Sequence, residues 1–317
     1  MTLFYDVTDR SRALGEALTG WTLDRFGREG LASDRLALTL LPFDAPLAPG
    51  ATARPEGFAH RGDQPFYPCS VVKLFYLAAA HRRLEDGVVT AHEDLDRAMR
   101  DMIVWSSNMG TNYVVDLVSQ TTGDTLLDEA AMRDWVERRG WVNRWIAGLG
   151  WDETAPINVC QKLMDDDRYG REKAFVAMGG NNHNRLTSDA VARLLHAIFT
   201  GALISTPRSA AMAASMRRPL TDDFAARPGA QIVGYLGAGL PKRARLWSKA
   251  GWTGWTGDPD ASYRRHDAAY VEIDGRAFIL VVFTQGEQIA ARQDVLPAIS
   301  ARLCELAGVH AGAETTG

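Results

Sequence analysis

The chain has 317 residues, 46% of them hydrophobic and 23% charged, the composition of an ordinary globular protein. A formal net charge of -4 gives no reason to expect nucleic acid or an anionic membrane as a partner. No stretch approaches the roughly 18–20 apolar residues that a spanning helix needs, so no membrane segment is expected.

The N-terminus, MTLFYDVTDRSRALGEAL, places Asp6, Asp9 and Glu16 where a signal peptide would be basic and then apolar. A cytoplasmic location is the expectation for the chain as it stands, and a periplasmic or secreted one if a leader was trimmed. Cys69, Cys160 and Cys304 are odd in number and far apart, which argues against a disulfide scaffold and fits a reducing compartment. Only 5 of the 35 basic residues are lysines (Lys73, Lys162, Lys173, Lys242 and Lys249). Each lysine merits inspection, because a buried lysine can release a proton and an arginine cannot.

In chain order, residues 9–29 have apolar positions at helical spacing, and 35–43 alternate as a strand. A Pro/Gly/Ala-rich turn and a short strand near 56–61 lead to Pro68. Residues 70–86 form the clearest helix, closed by Gly87. Its first turns are apolar nearly all round, the mark of a buried helix, and Lys73 is their one charge. Helices follow over 92–104, 108–119, 125–138, 187–200 and 207–217, with an irregular stretch at 150–186. Strands return at 244–252, 267–273 and 277–284, the last two joined by Asp274-Gly275 as a type I′ hairpin. A final helix is expected over 288–306.

This order implies an α+β fold in which both ends of the chain build one sheet. Residues 1–34 read as an N-terminal helical region, 35–306 as the main domain and 307–317 as a loose tail. The helical block of about 90–225 reads as a subdomain inserted into that domain.

Ser70-Val71-Val72-Lys73 is an S-x-x-K motif. Positions i and i+3 share a helix face, so the hydroxyl and the amine can meet. A serine is a poor nucleophile until a base takes its proton, and burial lowers a lysine's pKa enough to make it that base. Such a short motif also arises by chance. Further on, Ser106 and Asn108 form an S-x-N motif between two helices, where a hydroxyl could relay a proton and an amide could hold substrate. The plain alternative is a helix N-cap. Lys249-Ala250-Gly251 then ends a strand. Backbone N–H groups at such an edge can complete an oxyanion hole, each donor contributing about 2.7–4 kcal/mol. The plain alternative there is a glycine-interrupted strand turning at the surface.

Taken in order, these motifs resemble those of the penicillin-recognising serine enzymes, and of their class A β-lactamase-related branch in particular. The resemblance covers roughly residues 35–306. It implies an antiparallel five-stranded sheet flanked by helices, an all-helical subdomain, and an active site between them. It makes Ser70 the acylated nucleophile, Lys73 its partner, Ser106 a proton relay and Asn108 an amide clamp. Lys249 supplies positive charge near a substrate carboxylate, and the backbone N–H groups of Ser70 and Trp252 form the oxyanion hole. Gly251, Trp252, Thr253 and Arg265 complete the substrate-binding set, with Arg264 the adjacent alternative to Arg265.

Three departures bear on function, the mildest being Ser107 at the middle of the family's S-D-N. The family's K-T-G or K-S-G is Lys249-Ala250-Gly251 here, leaving Thr253 as the nearest substitute hydroxyl. The deacylating glutamate of class A enzymes has no matching E-x-x-L-N. Glu172 and Asp166 are the leading candidates for that base, ahead of Glu153, Asp165, Asp167 and His183. The implied partner is a small-molecule acyl substrate, an amide, lactam or ester. A penicillin-binding or transpeptidase-like acyl transferase, an esterase, and a non-catalytic binding protein on the same fold stay open. No cofactor is implied, and neither H-E-x-x-H nor a cysteine pair suggests a metal. The oligomeric state is left open.

Overall fold

The computed structural model describes residues 2–123, 125–163, 167–227 and 229–309. Helix α1 (Asp9–Phe26) precedes strands β1 (Leu36–Phe43) and β2 (Phe58–His60). Helices α2 (Lys73–Glu85), α3 (Glu93–Val104), α4 (Asn108–Ser119), α5 (Glu129–Arg139) and α6 (Trp141–Ala147) follow. Then come α7 (Gly170–Ala177), α8 (Ser188–Phe199), α9 (Thr206–Met216), the two-residue strand β3 (Arg217–Arg218) and α10 (Asp222–Ala225). Strands β4 (Arg245–Thr253), β5 (Arg264–Ile273) and β6 (Arg276–Gln285) and helices α11 (Glu287–Ala291) and α12 (Val295–Leu306) close the chain.

The strands form one antiparallel sheet in the order β2-β1-β6-β5-β4-β3. Both ends of the chain therefore meet in it, β1 pairing with β6 along its whole length. The sheet has six strands where five were expected, because β3 is too short to leave a pattern. The β5–β6 hairpin turns on Asp274 and Gly275, both at positive φ (50° and 77°), as a type I′ turn demands.

Near-continuous apolar strands arise because both faces are covered. Leu36, Leu38 and Leu40 of β1 and Phe278, Leu280 and Val282 of β6 pack with α1 and α12. The alternating residues, Ala37, Leu41, Ile279, Val281 and Phe283, pack with α2 and α8. Helix α2 is buried from Lys73 to His81, in keeping with its apolar sequence.

Three expectations need amendment. The helix expected over 288–306 is two helices, interrupted at an extended Arg292. Pro297 has no N–H to donate and fits only the first turn of a helix, so α12 must start shortly before it. Strand β5 begins at Arg264 rather than 267, its charged first residues being paired to β4 and β6. The stretch read as irregular holds α7, and α6 precedes it. Residues 310–317 of the expected tail lie outside the described residues. No helix among the described residues is long and apolar enough to cross a membrane.

Leu280→Ala should lower the unfolding free energy by about 2–5 kcal/mol in denaturant titration, since it opens a cavity between the sheet and α12.

Candidate active site

Ser70 lies in a 3₁₀ turn (Cys69–Val72) that runs directly into α2. Cys69 precedes it at φ 49°, a left-handed conformation costly for any residue but glycine. Strand β4 holds this turn from the sheet side. A Cβ added at Gly251 would lie 2.7 Å from Ser70 N and 2.8 Å from Cys69 Cβ, so only glycine admits the approach. By strand alternation Lys249, Gly251 and Thr253 face α2, and Ala250 and Trp252 face away.

His266, paired with Gly251 across the sheet, secures the same turn. Its Nε2–H donates to the Tyr67 carbonyl at 2.9 Å, and its Nδ1 accepts from Thr284 N–H at 3.1 Å. The tautomer follows, because a backbone N–H can only donate. Burial pushes this imidazole down to about 3.

Lys73 and Lys249 converge on one hydroxyl. Lys73 Nζ donates to Ser106 O at 2.6 Å, Ser106 Oγ at 3.3 Å and Asn108 Oδ1 at 2.8 Å. Lys249 Nζ donates to Ser106 Oγ at 3.0 Å, Gln231 Oε1 at 2.6 Å and Ala250 O at 2.7 Å. Both lysines are fully buried. Burial above all, then the neighbouring Lys73 and Arg218, holds Lys249 well below the usual lysine range. The N-cap of α4 is Ser107, which accepts from Gly110 N–H at 3.0 Å. Ser106 is thus released from capping and, at φ 59°, stands between the two lysines.

Two buried charges outside the motifs flank this cluster. Buried Arg218 donates to Ser248 O, Val104 O, Ala230 O, Ile103 O and Gln231 Oε1 at 2.7–3.4 Å, and burial pushes it down to about 10. Asp267, also buried, accepts from Leu236 N–H and Ala268 N–H, and burial pushes it up to about 6. Neither sits in a motif. Arg218 occupies a two-residue strand, and Asp267 stands at the expected start of its strand, where nothing local marks it as buried.

The remaining predicted residues divide. Arg265 shares the face of Trp252, its guanidinium 5.2 Å from the Tyr235 ring and 6.0 Å from the Trp252 ring, and donates to Ala290 O at 2.9 Å. Arg264 faces the α2 side and donates to Ser262 O and Asp260 O. Thr253 does not fill the place of the hydroxyl missing at Ala250. It lies on the other face, donating to Ala261 O at 2.8 Å with Cys69 Sγ 3.7 Å away. Trp252 is half exposed, its indole N–H bonded to Ala290 O at 2.8 Å.

Among the base candidates, Glu172 is held elsewhere. Both its oxygens accept from Arg139, at 2.7 and 3.0 Å, in a buried cluster with Lys162 and Asp116. Glu153 is buried near Tyr5 and Asp189. His183 pairs with Asp258 at 2.6 Å and Gln161 at 3.3 Å. Asp165 and Asp166 lie outside the described residues. The backbone just before them is fixed to α4, where Asn112, one turn beyond Asn108, exchanges two hydrogen bonds with Leu163 (2.8 and 3.0 Å).

A model of the β-lactamase enzyme family matches residues 51–306, in agreement with the resemblance carried by the three motifs. The β-lactamase from Sphaerobacter thermophilus is 18% identical with a TM-score of 0.63, the alignment covering 93% of this chain and 99% of that one. A β-lactamase from Xanthomonas campestris pv. campestris gives the same values. A class A β-lactamase of the last common ancestor of Gram-negative bacteria is 19% identical, with a TM-score of 0.60, covering 93% and 100%. At these identities the likeness is one of fold. No curated protein matches the chain.

Two outcomes follow from this geometry. Gly251→Ala should displace the Ser70 turn and slow fluorophosphonate labelling of Ser70 about 100-fold, with the circular dichroism spectrum unchanged. His266 stays neutral to about pH 3 when folded, while the unfolded chain takes up that proton near 6.5. The unfolded state therefore binds more protons in this window, and stability falls as pH drops through it. His266→Gln should remove up to about 1.4 kcal/mol per pH unit of that slope in chemical unfolding at pH 4–6; an unchanged slope would show that His266 is not the group responsible.

Proposed function

The chain belongs to the β-lactamase enzyme family, and we propose that it is a serine hydrolase forming an acyl-enzyme on Ser70 with an amide, lactam or ester substrate. One observation carries the reading. Two buried lysines converge on Ser106 Oγ beside the turn that bears Ser70. Burial above all, then the charges of Lys73 and Arg218, disfavours the charged form of Lys249, so the pair is poised to exchange a proton.

In the proposed reaction Ser70 Oγ attacks the carbonyl carbon and its proton passes to the Lys73 amine. Ser106 relays a proton to the leaving nitrogen or oxygen, and the backbone N–H groups of Ser70 and Trp252 receive the developing oxyanion. Asn108, oriented by its bond to Lys73, holds the substrate amide. Lys73, Lys249 and Arg218 gather positive charge at this site, which suits a substrate carrying a carboxylate. A β-lactam is one such substrate, and the solved structures similar in fold are named β-lactamases.

A second reading has its own support. The arrest of Glu172 by Arg139 favours slow deacylation, as in an acyl transferase of the penicillin-binding kind or an esterase with a long-lived intermediate.

Intact mass after incubation with a fluorescent penicillin or a fluorophosphonate separates these readings. An adduct on Ser70 that Ser70→Ala lacks is expected. Its loss within minutes indicates hydrolysis, and its persistence indicates transfer or trapping. No adduct with either reagent overturns the proposal in favour of a binding protein on this fold.

A further inference from the structure

The Lys249 ammonium donates to three neutral oxygens: Ser106 Oγ, Ala250 O and Gln231 Oε1. The shortest of these bonds, 2.6 Å, is to Gln231. Gln231 sits at φ 56°, a left-handed conformation that needs support from its surroundings. That support is visible in the side chain, which grips the backbone of Ala250 at two points. Its Nε2 donates to Ala250 O at 3.2 Å, and its Oε1 accepts from Ala250 N–H at 3.4 Å. Because the nitrogen is bound to a carbonyl, the amide cannot be reversed, and its oxygen must face Lys249. The same oxygen accepts from Arg218 Nη2 at 3.4 Å.

The charged groups around Lys249 come from several elements. Lys73 on α2 and Arg218 on β3 oppose its charge. Asp267 on β5 and Cys69 in the turn before α2 favour it, but the Asp267 carboxylate is bonded to Leu236 N–H and Ala268 N–H, and burial keeps the thiol protonated. A carboxylate at position 231 would stand directly between Lys249 and Arg218. The chain has an amide of the same shape there.

We propose that Gln231 is a positioning residue for the Ser70 reaction, aiming Lys249 at Ser106 through a neutral oxygen so that the ammonium is fixed in place without being locked into an ion pair. The inference rests on the reading of Ser70 as nucleophile. It extends that reading to a residue outside every motif, acting through Lys249 rather than on the substrate.

Gln231→Glu keeps the shape and adds the missing charge. In protein labelled with ¹³C at lysine Cε there are only five lysine signals, and the Lys249 signal is assigned by its loss in Lys249→Arg. Its titration midpoint should rise by at least about one pH unit in Gln231→Glu. The added carboxylate also favours protonated Lys73, so the acid limb of the pH profile for Ser70 labelling, which reports that proton acceptor, should move up, lowering the rate at pH 7 about tenfold and restoring it at higher pH. Gln231→Met, which has no carbonyl, should slow labelling without an upward move of the limb. A Lys249 midpoint unmoved in Gln231→Glu overturns the proposal, and so does an identical uniform slowing in both variants. Absence of labelling in the wild-type protein would defeat the Ser70 reading instead, and the lysine titration still decides the case for Gln231.

Discussion

The approach of strand β4 to the turn at Ser70 is the constraint on which the site depends. The sheet is assembled from both ends of the chain, whereas Ser70, Lys73, Ser106 and Asn108 come from the helices between them. Gly251 is where the two meet, and at that point the backbones leave no room for a side chain. His266 adds a second hold from the neighbouring strand by binding the Tyr67 carbonyl. Cys69 and Ser106 both carry left-handed φ angles, and each of these strained residues adjoins or forms part of the chemical cluster. Such strain persists only where surrounding contacts over-determine it. Packed α2 and the β4–β5 pair are those contacts.

The second organising fact is how the cations are housed. Lys73, Lys249 and Arg218 are almost wholly excluded from water, and their hydrogen bonds to described side chains and backbone run to carbonyl, amide and hydroxyl oxygens. A buried ion pair would neutralise a lysine's charge and hold its proton. Around Lys249 the neutral acceptors satisfy the donors without an ion pair, which suits attraction of an anion. The Arg139–Glu172 pair in the same helical block shows the opposite arrangement, with both oxygens of the acid bound by one guanidinium. That pair fixes α5 to α7, whereas the lysine cluster is, in the proposed reaction, the part that exchanges protons.

Much of this was legible in sequence, for identifiable reasons. The apolar run of α2, the Asp-Gly hairpin and the alternating strands announce themselves because burial and turn chemistry act locally. The motifs supplied Ser70, Lys73, Ser106, Asn108 and Lys249 because the chemistry fixes their types and short spacings. Gln231, Arg218, His266 and Asp267 were not legible, since each acts through a partner distant in sequence and none belongs to a short pattern. Arg264 to Asp267 even disguised the start of β5, four polar residues in a row being a poor strand signal. Burial supplied their meaning, and burial is a property of the assembled sheet. The choice between Arg264 and Arg265 needed only the strand register, which places them on opposite faces.

The two halves of an acyl-enzyme cycle rest on different supports in this molecule. The groups proposed to form the bond are borne by α2, by the α3–α4 junction and by the central sheet. The acids considered for breaking it fall in the 150–186 stretch, where Glu172 answers to Arg139 and His183 to Asp258. The same stretch is joined to α4 through Asn112 and Leu163, one helical turn from Asn108. The clamp on α4 sets the backbone at Leu163, whereas His183 is tied through Asp258 to the β4–β5 connection. Acylation would then respond to changes at Gly251, and a deacylating base next to Leu163 to changes at Asn112.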